Sequence, residues 1–196
     1  MLVLIRHGEA TANAAGLLLG RTDSPLTDRG RAQAGALRSR MRSVERCVSS
    51  PLLRAVQTAE LLDLALPVEV DDRWIERDYG EEEGTPYHSL DTPGGAATSK
   101  WADIGYRPAG GESLADVAAR VADACSELYA DEGKGARMAG ADVVVVSHVS
   151  PIKAAVAWAL GVGDEIVWRL HLSTASVTRI GWSAGGPQLV TYNWTP

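Results

Sequence analysis

Short apolar runs alternate with amphipathic stretches along the chain. Four runs have the length and composition of buried strands, over residues 1–5, 44–48, 67–70 and 141–147. Stretches with apolar residues at helical spacing accompany them, over residues 28–42, 51–64, 112–130 and 151–160. Two alternating segments, 175–182 and 188–192, predict a closing hairpin. Strands that alternate with helices predict an α/β sandwich, formed here by a single domain over residues 1–196.

One segment departs from this alternation. Residues 84–111 are rich in Gly, Pro, Ala and Thr, which is typical of a surface excursion over the top of a domain. We expect this excursion to determine substrate specificity. Trp101 within it could contact a substrate. Lys100 and Arg107 could bind a second anionic group, although solvated surface charge is the more common role of such residues.

The charge of the chain narrows the class of partner. The sequence has 25 Asp and Glu against 19 Lys and Arg, which gives a formal net charge of -6. Such a chain is not expected to bind nucleic acid or an anionic membrane surface, but a local arginine cluster still permits a small anionic substrate. It has no apolar run of membrane-spanning length and no signal peptide at its start, so we expect a cytoplasmic protein.

Candidate chemistry is concentrated after the predicted strands. Arg6 and His7 follow the first strand, and His148 follows the fourth. Arg54 lies after the second strand and Glu76 after the third. Ligands of open α/β sheets bind beyond the carboxyl ends of the strands, so these five side chains are expected to converge.

This set of side chains is suited to phosphoryl transfer. A neutral imidazole such as His7 attacks phosphorus, while two guanidinium groups and a second, protonated imidazole neutralise the phosphoryl oxygens. A carboxyl group at Glu76 can protonate the departing alkoxide, and Glu81 and Glu82 are rival candidates for this role. Gly8 lets the backbone approach the oxyanion because it has no Cβ. A zinc ion shared by the two histidines is not expected, since no third ligand accompanies them.

Six blocks of sequence occur in a recognisable order. They are Arg6-His7-Gly8-Glu9 with Asn13, residues 20–34, 49–59, 76–84 and 110–113, and Val145-Val146-Ser147-His148. Together they resemble the signature of the histidine phosphatase superfamily, which includes the cofactor-dependent phosphoglycerate mutases. The resemblance extends from residue 2 to about residue 160. The ordered set is far more specific than any single block.

The resemblance has consequences for fold and mechanism. It implies a three-layer αβα sandwich on a mostly parallel sheet with one antiparallel strand, the phosphoglycerate mutase-like fold. It also implies that His7 becomes phosphohistidine, that Glu76 donates and accepts the proton, and that no metal or other cofactor takes part. The phosphoryl group and the substrate would be held by the other members of the predicted site: Arg6, Gly8, Asn13, Gly20, Arg54, His148 and Val149.

Three hypotheses about function follow. The first is a metal-independent phosphatase that acts on a small phosphorylated metabolite through a phosphohistidine at His7. The alternative is a phosphoglycerate mutase, in which the same intermediate returns its phosphoryl group to a bound product. A second alternative is a protein that binds phospho-ligands without turnover; its one supporting feature is Val149, where the family usually has glycine. The terminal hairpin offers an edge for pairing, so a homodimer is a possible assembly.

Overall fold

The computed structural model describes residues 1–87, 100–133 and 141–196. Within these residues one sheet is formed by β1 (Leu2–Arg6), β2 (Val44–Ser49), β3 (Val68–Val70), β4 (Asp142–Ser147), β5 (Val177–Ser183) and β6 (Gly186–Trp194). The strand order is β3-β2-β4-β1-β5-β6. Strands β1, β2, β3 and β4 pair in parallel, and β5 runs antiparallel to both of its neighbours.

Helices cover both faces of this sheet. They are α1 (Thr11–Ala14), α2 (Asp28–Leu37), α3 (Leu53–Leu61), α4 (Leu114–Gly133) and α5 (Val149–Leu160). Single 3₁₀ turns lie at Arg38–Arg40, Asp72–Trp74, Gly80–Glu82 and Lys100–Ala102, and a longer one at Asp164–Arg169. None of the helices in the described part of the chain has the length and apolar content needed to cross a bilayer.

The alternation of side chains along the central strands divides the core into two layers. On one face Leu2, Leu4 and Val145 pack with Val121 of α4 and Ile152 of α5. The opposite face has its own cluster, in which Val3, Ile5, Val144 and Val146 pack with Leu37 of α2 and with Ala55 and Ala59 of α3. Strands buried on both faces read as continuous apolar runs, which is the pattern seen at residues 2–5 and 143–146. The predicted three-layer sandwich is confirmed.

The register of the three central strands determines where their polar ends lie. Arg6 at the end of β1 is opposite Ser147 at the end of β4. The His7 backbone N–H extends this pairing by donating to the Ser147 carbonyl at 3.0 Å. On the other side of β4, the Ser50 N–H donates to the carbonyl of Val146 at 3.0 Å. The chain segments after β1, β2 and β4 therefore leave the sheet side by side.

Several boundaries differ from the sequence prediction. Helix α5 begins at Val149, two residues before Pro151, and ends as predicted at Leu160, where it is capped by Gly161 with a left-handed φ of 63°. Helix α2 is capped by the Thr27 side chain and ends at Leu37 rather than Arg42. The four-residue α1 was not predicted. Residues 88–99 of the predicted excursion lie outside the described residues.

Candidate active site

His7 is held in one orientation by the backbone carbonyl of the residue that follows it. It directly follows β1 and is 3% exposed. Its Nδ1 lies 2.7 Å from the Gly8 carbonyl oxygen, which can only accept, so Nδ1 carries the proton. The other ring nitrogen, Nε2, therefore has a free lone pair. The ring lies beside that of His148, with 5.0 Å between the two centroids.

His148 is fully buried and is oriented by Ser50. Its Nε2 lies 2.7 Å from the Ser50 hydroxyl oxygen, which also accepts from the Leu52 N–H at 3.3 Å. The hydroxyl proton has no other acceptor among the described residues, so it is best satisfied by donating to Nε2. Nδ1 then carries the proton of the ring. This Nδ1 is buried and has no hydrogen-bond partner in the described part of the chain.

The two arginines of the site are fixed by backbone carbonyls. Arg54, fully buried near the start of α3, donates to the carbonyl oxygens of Gly20 at 2.6 Å and Thr22 at 3.0 Å. Arg6 donates to the carbonyl oxygen of Leu172 at 2.6 Å. Burial lowers the pKa of Arg54 to about 10, so its guanidinium remains charged at neutral pH. In each arginine Nε is buried and has no partner among the described residues.

The surroundings of the two histidines favour their neutral forms. Burial is the main reason that the pKa of His7 lies well below its usual value, and the charges of Arg54 and Arg6 lower it further. The pKa of His148 is also lowered, by burial first and then by Arg54. These surroundings oppose the protonated second imidazole that the sequence led us to expect. A bound anion would reverse the balance, because its charge favours a proton on His148.

Glu76 caps the start of helix α5. Its side chain is 4% exposed, and Oε1 accepts from the backbone N–H of Arg77 at 2.8 Å and of Ser150 at 3.2 Å. Oε2 accepts from the N–H of Val149 at 3.1 Å. Val149 is among the residues that the resemblance assigned to substrate binding, but its backbone N–H binds Glu76. Both lone pairs of Oε1 are occupied, whereas Oε2 keeps one for a proton.

The rival acids have other surroundings. Glu82 accepts a hydrogen bond from Lys100 at 2.5 Å, and Glu81 is exposed to solvent. The second cation of the predicted excursion, Arg107, pairs with Asp116 at 2.7 Å. Both cations proposed for a second anion thus already contact carboxylates.

The two glycines of the predicted site are required for packing. A Cβ on Gly8 would lie 2.4 Å from the carbonyl oxygen of Gly30, so its side is filled by backbone rather than open to a ligand. The Gly8 N–H donates to the Thr58 hydroxyl at 3.0 Å. A Cβ on Gly20 would lie 2.1 Å from Oε1 of Glu83, and the Gly20 carbonyl holds Arg54. Both glycines therefore support the site through the backbone.

Two cavities adjoin this cluster. One, of about 310 Å³, is lined mainly by aromatic and apolar side chains that include Tyr79, Trp101 and Trp168. The other, of about 440 Å³, contains Arg6 and Asn13 and reaches the exposed His171. Val149 lines both cavities, and Trp101 lines the aromatic one. The Asn13 side-chain oxygen accepts from the Ala10 N–H at 3.1 Å.

Sequence reasoning missed Tyr87 and Lys153, which both line the two cavities, and of these two Lys153 is the cation. It lies one helical turn after Val149 on α5, so the two residues share a face of the helix. When a helix begins at a candidate site, a basic residue one turn after its first residue can be recognised from the sequence as a possible member of that site. The predicted start at Pro151 obscured it, because it placed residue 153 in the first turn instead.

Comparison with known proteins identifies the family. The model of the histidine phosphatase superfamily (branch 1) matches residues 2–195. The bifunctional protein Rv2228c of Mycobacterium tuberculosis is 35% identical over 195 residues, which are 96% of this chain and 52% of that protein. The chain thus spans about half the length of the first curated relatives it matches.

Two further similarities are to proteins that share one enzyme name. The glucosyl-3-phosphoglycerate phosphatase of Mycobacterium tuberculosis is 36% identical over 154 residues, covering 75% of this chain and 69% of that protein. A solved structure of the mycobacterial glucosyl-3-phosphoglycerate phosphatase Rv2419c with VO3 superposes with a TM-score of 0.85. It is 32% identical, and the match covers 99% of this chain and 98% of that one. The chain belongs to the histidine phosphatase superfamily, as its sequence predicts.

Proposed function

We propose that the chain is a metal-independent phosphomonoester hydrolase that works through a phosphohistidine at His7. One observation carries this proposal. Nε of Arg6, Nε of Arg54 and Nδ1 of His148 are buried nitrogens without partners among the described residues. Buried donors are almost always satisfied in folded proteins, so three in one cluster indicate a missing acceptor. A phosphoryl group supplies three oxygens with negative charge, which fits three such donors.

In the first half-reaction, Nε2 of His7 attacks phosphorus. The Nδ1 hydrogen bond to the Gly8 carbonyl holds the ring in the required tautomer. The bond from phosphorus to the alcohol oxygen breaks, and the departing oxygen takes a proton from Glu76. Oε2 is the oxygen with room for this proton, because Oε1 already accepts two backbone N–H groups. The product alcohol leaves, and the phosphoryl group stays on His7.

In the second half-reaction, water replaces the alcohol. The Glu76 carboxylate takes a proton from this water, whose oxygen attacks the phosphohistidine. The bond from phosphorus to nitrogen breaks, inorganic phosphate forms, and His7 recovers its lone pair. Throughout both steps the two guanidinium groups stay in place, since their fixing bonds go to backbone carbonyls. Such fixed charges stabilise a transition state without reorganising.

The proposed substrate is a small phosphorylated metabolite. The aromatic cavity of about 310 Å³ would receive the alcohol, because it adjoins Val149 and Ser150 at the Glu76 cap. The relative named glucosyl-3-phosphoglycerate phosphatase supports a substrate with a bulky alcohol. Flat aromatic walls such as Trp101 and Trp168 suit the apolar face of a ring.

The test is phosphate release from p-nitrophenyl phosphate by the wild type and by His7→Ala. The His171→Ala variant is a matched control, since it removes an exposed histidine near the same cavity. We expect His7→Ala to lose at least about a thousandfold in kcat and His171→Ala to lose less than about threefold. Equally slow release by the wild type and His7→Ala would instead support the non-catalytic binding protein. Activity lost to EDTA and restored by zinc would contradict the metal-free mechanism.

The intermediate and the mutase alternative need separate measurements. The reaction with labelled substrate is quenched rapidly with alkali rather than with acid. The label should then remain on His7, because phosphohistidine is stable to base and labile to acid. Incubation of 3-phosphoglycerate with a trace of 2,3-bisphosphoglycerate tests the mutase. Rapid isomerisation without net phosphate release would replace the hydrolase proposal by the mutase.

A further inference from the structure

Lys153 lies at the junction of the two cavities beside the phosphoryl site. It projects from α5 and lines the aromatic cavity as well as the cavity that contains Arg6. Two other residues line both cavities, Val149 and Tyr87. A group on the substrate alcohol that reaches this junction would therefore meet the Lys153 ammonium.

The Lys153 ammonium has no fixed partner in the described part of the chain. Among the described residues no hydrogen bond or ion pair involves it, although its side chain is partly buried. Burial lowers the pKa of this lysine, the negative charge of Glu76 raises it, and the positive charge of Arg6 lowers it again. A partly desolvated cation without a partner costs free energy, so its presence beside a cavity indicates a ligand of opposite charge.

The neighbouring lysine is in a different situation. Lys100 lies beside Trp101 at the aromatic cavity, but its ammonium donates to Glu82 at 2.5 Å. Its charge is thus balanced within the protein. Of the two lysines near this cavity, Lys153 is the one that can bind an anion without first breaking an ion pair to a described residue.

We propose that Lys153 is a specificity-determining residue that binds a carboxylate on the alcohol portion of the substrate. This inference rests on the proposed function for the identity of the phosphoryl site. A carboxylate fits better than a second phosphate, because one ammonium balances one negative charge, whereas a phosphate carries nearly two. The substrate class is then a phosphomonoester of a hydroxy acid.

The experiment compares two ligands that differ at one group. 3-Phosphoglycerate carries a carboxylate where glycerol 3-phosphate carries a neutral hydroxymethyl group. Dissociation constants are measured by calorimetry on the full chain in a His7→Gln background, so that no phosphoryl transfer disturbs the titration. With Lys153 present, we expect 3-phosphoglycerate to bind at least about tenfold more tightly, the usual contribution of a hydrogen bond to a charged group.

The variants separate a charge contact from a structural effect. Lys153→Met should weaken 3-phosphoglycerate by roughly ten- to a hundredfold and remove most of its advantage over glycerol 3-phosphate. Lys153→Arg should restore most of that advantage, and the control Lys100→Met should keep it. Melting temperatures verify that each variant is folded, and Lys153→Gln replaces Lys153→Met if the latter does not fold.

Three outcomes would overturn the proposal. They are equal weakening of both ligands by Lys153→Met, no preference for 3-phosphoglycerate with Lys153 present, and no measurable binding of either. A Lys153-dependent preference for fructose 1,6-bisphosphate over fructose 6-phosphate, without one for the carboxylate, would reassign the residue to a second phosphate. Binding needs no turnover, so it can succeed even where the wild type fails to hydrolyse p-nitrophenyl phosphate.

Discussion

Mild acid should destabilise this protein because two histidines are buried in their neutral forms. Burial and the nearby arginines hold the pKa values of His7 and His148 well below the usual value. In the unfolded chain both rings titrate near pH 6.5. Below that pH the unfolded chain binds protons that the folded protein does not. Stability is therefore full above about pH 6.5 and falls as the pH decreases toward the folded-state values.

The size of this loss follows from linkage. A group with an unfolded pKa near 6.5 and a much lower folded pKa loses about 1.4 kcal/mol between pH 7.5 and pH 5.5. Two such groups together lose about 2.7 kcal/mol, a large part of the stability of an ordinary domain. Carboxylates contribute little in this window, because their unfolded pKa values lie near 4. The window therefore isolates the histidines.

Urea unfolding at several pH values measures the effect. We expect His148→Gln to remove about half of the pH-dependent loss, because one of the two neutral rings is gone. His171→Asn controls for the number of histidines, since it removes an exposed ring. The buffers must be free of phosphate, because a bound oxyanion favours protonated His148. If His148→Gln and the wild type lose stability in parallel, His148 is not held neutral and the reasoning fails.

Three further variants test the packing and the fixed charges. Gly8→Ala should lower the free energy of unfolding in urea by about 3 kcal/mol, because the new Cβ would lie 2.4 Å from a carbonyl oxygen. Gly35→Ala, in open space on α2, should instead raise it by up to about 1 kcal/mol. Equal effects of the two variants would contradict the close contact at Gly8. In steady-state assays Arg54→Lys should lower kcat by at least about a hundredfold, because lysine lacks the planar guanidinium group. A loss smaller than about tenfold would count against the proposed contact between Arg54 and the phosphoryl group. Ser50→Ala should cost about 1–3 kcal/mol in urea unfolding, because the buried His148 ring loses its partner; unchanged stability would argue against that hydrogen bond.

Residue types and apolar runs were enough to predict the sheet and the placement of the two histidines. The runs at residues 2–5 and 143–146 are short, continuous and rich in β-branched residues, which indicates central parallel strands. The residues that directly follow parallel strands of this kind lie at the same edge of the sheet, and here those residues are His7 and His148. This part of the site depends on local pattern and on one general rule of topology.

The start of α5 shows what local pattern cannot provide. Pro151 reads as the first helical residue, but it stands third, where its missing N–H would have had no partner within the helix. The earlier turn exists because Glu76 accepts from the N–H groups of Val149 and Ser150. That carboxylate is 73 and 74 residues away in the sequence, so no local propensity contains it. Because the helix was predicted to start at Pro151, Lys153 was also placed in its first turn, whereas in the structure it lies one turn after the first residue.

The fixing of the arginines explains how an acidic chain can present a cationic site. On the surface, Arg107 pairs with Asp116, and such a pair cancels charge. Arg6 and Arg54 are instead oriented by carbonyl oxygens, which accept hydrogen bonds without supplying a full negative charge. Glu76 is the carboxylate whose charge most strongly raises the pKa of both arginines, and its own hydrogen bonds go to backbone N–H groups.

The positive charge of the site therefore remains available to a ligand, despite the net charge of -6. The carbonyls that hold Arg54 belong to Gly20 and Thr22, in the segment between α1 and α2, and the one that holds Arg6 belongs to Leu172. These segments are distant in sequence from the arginines they orient, and any residue type can supply a carbonyl. Sequence patterns identify which cations a site contains, but whether their charge is cancelled or kept depends on backbone that only the fold brings to them.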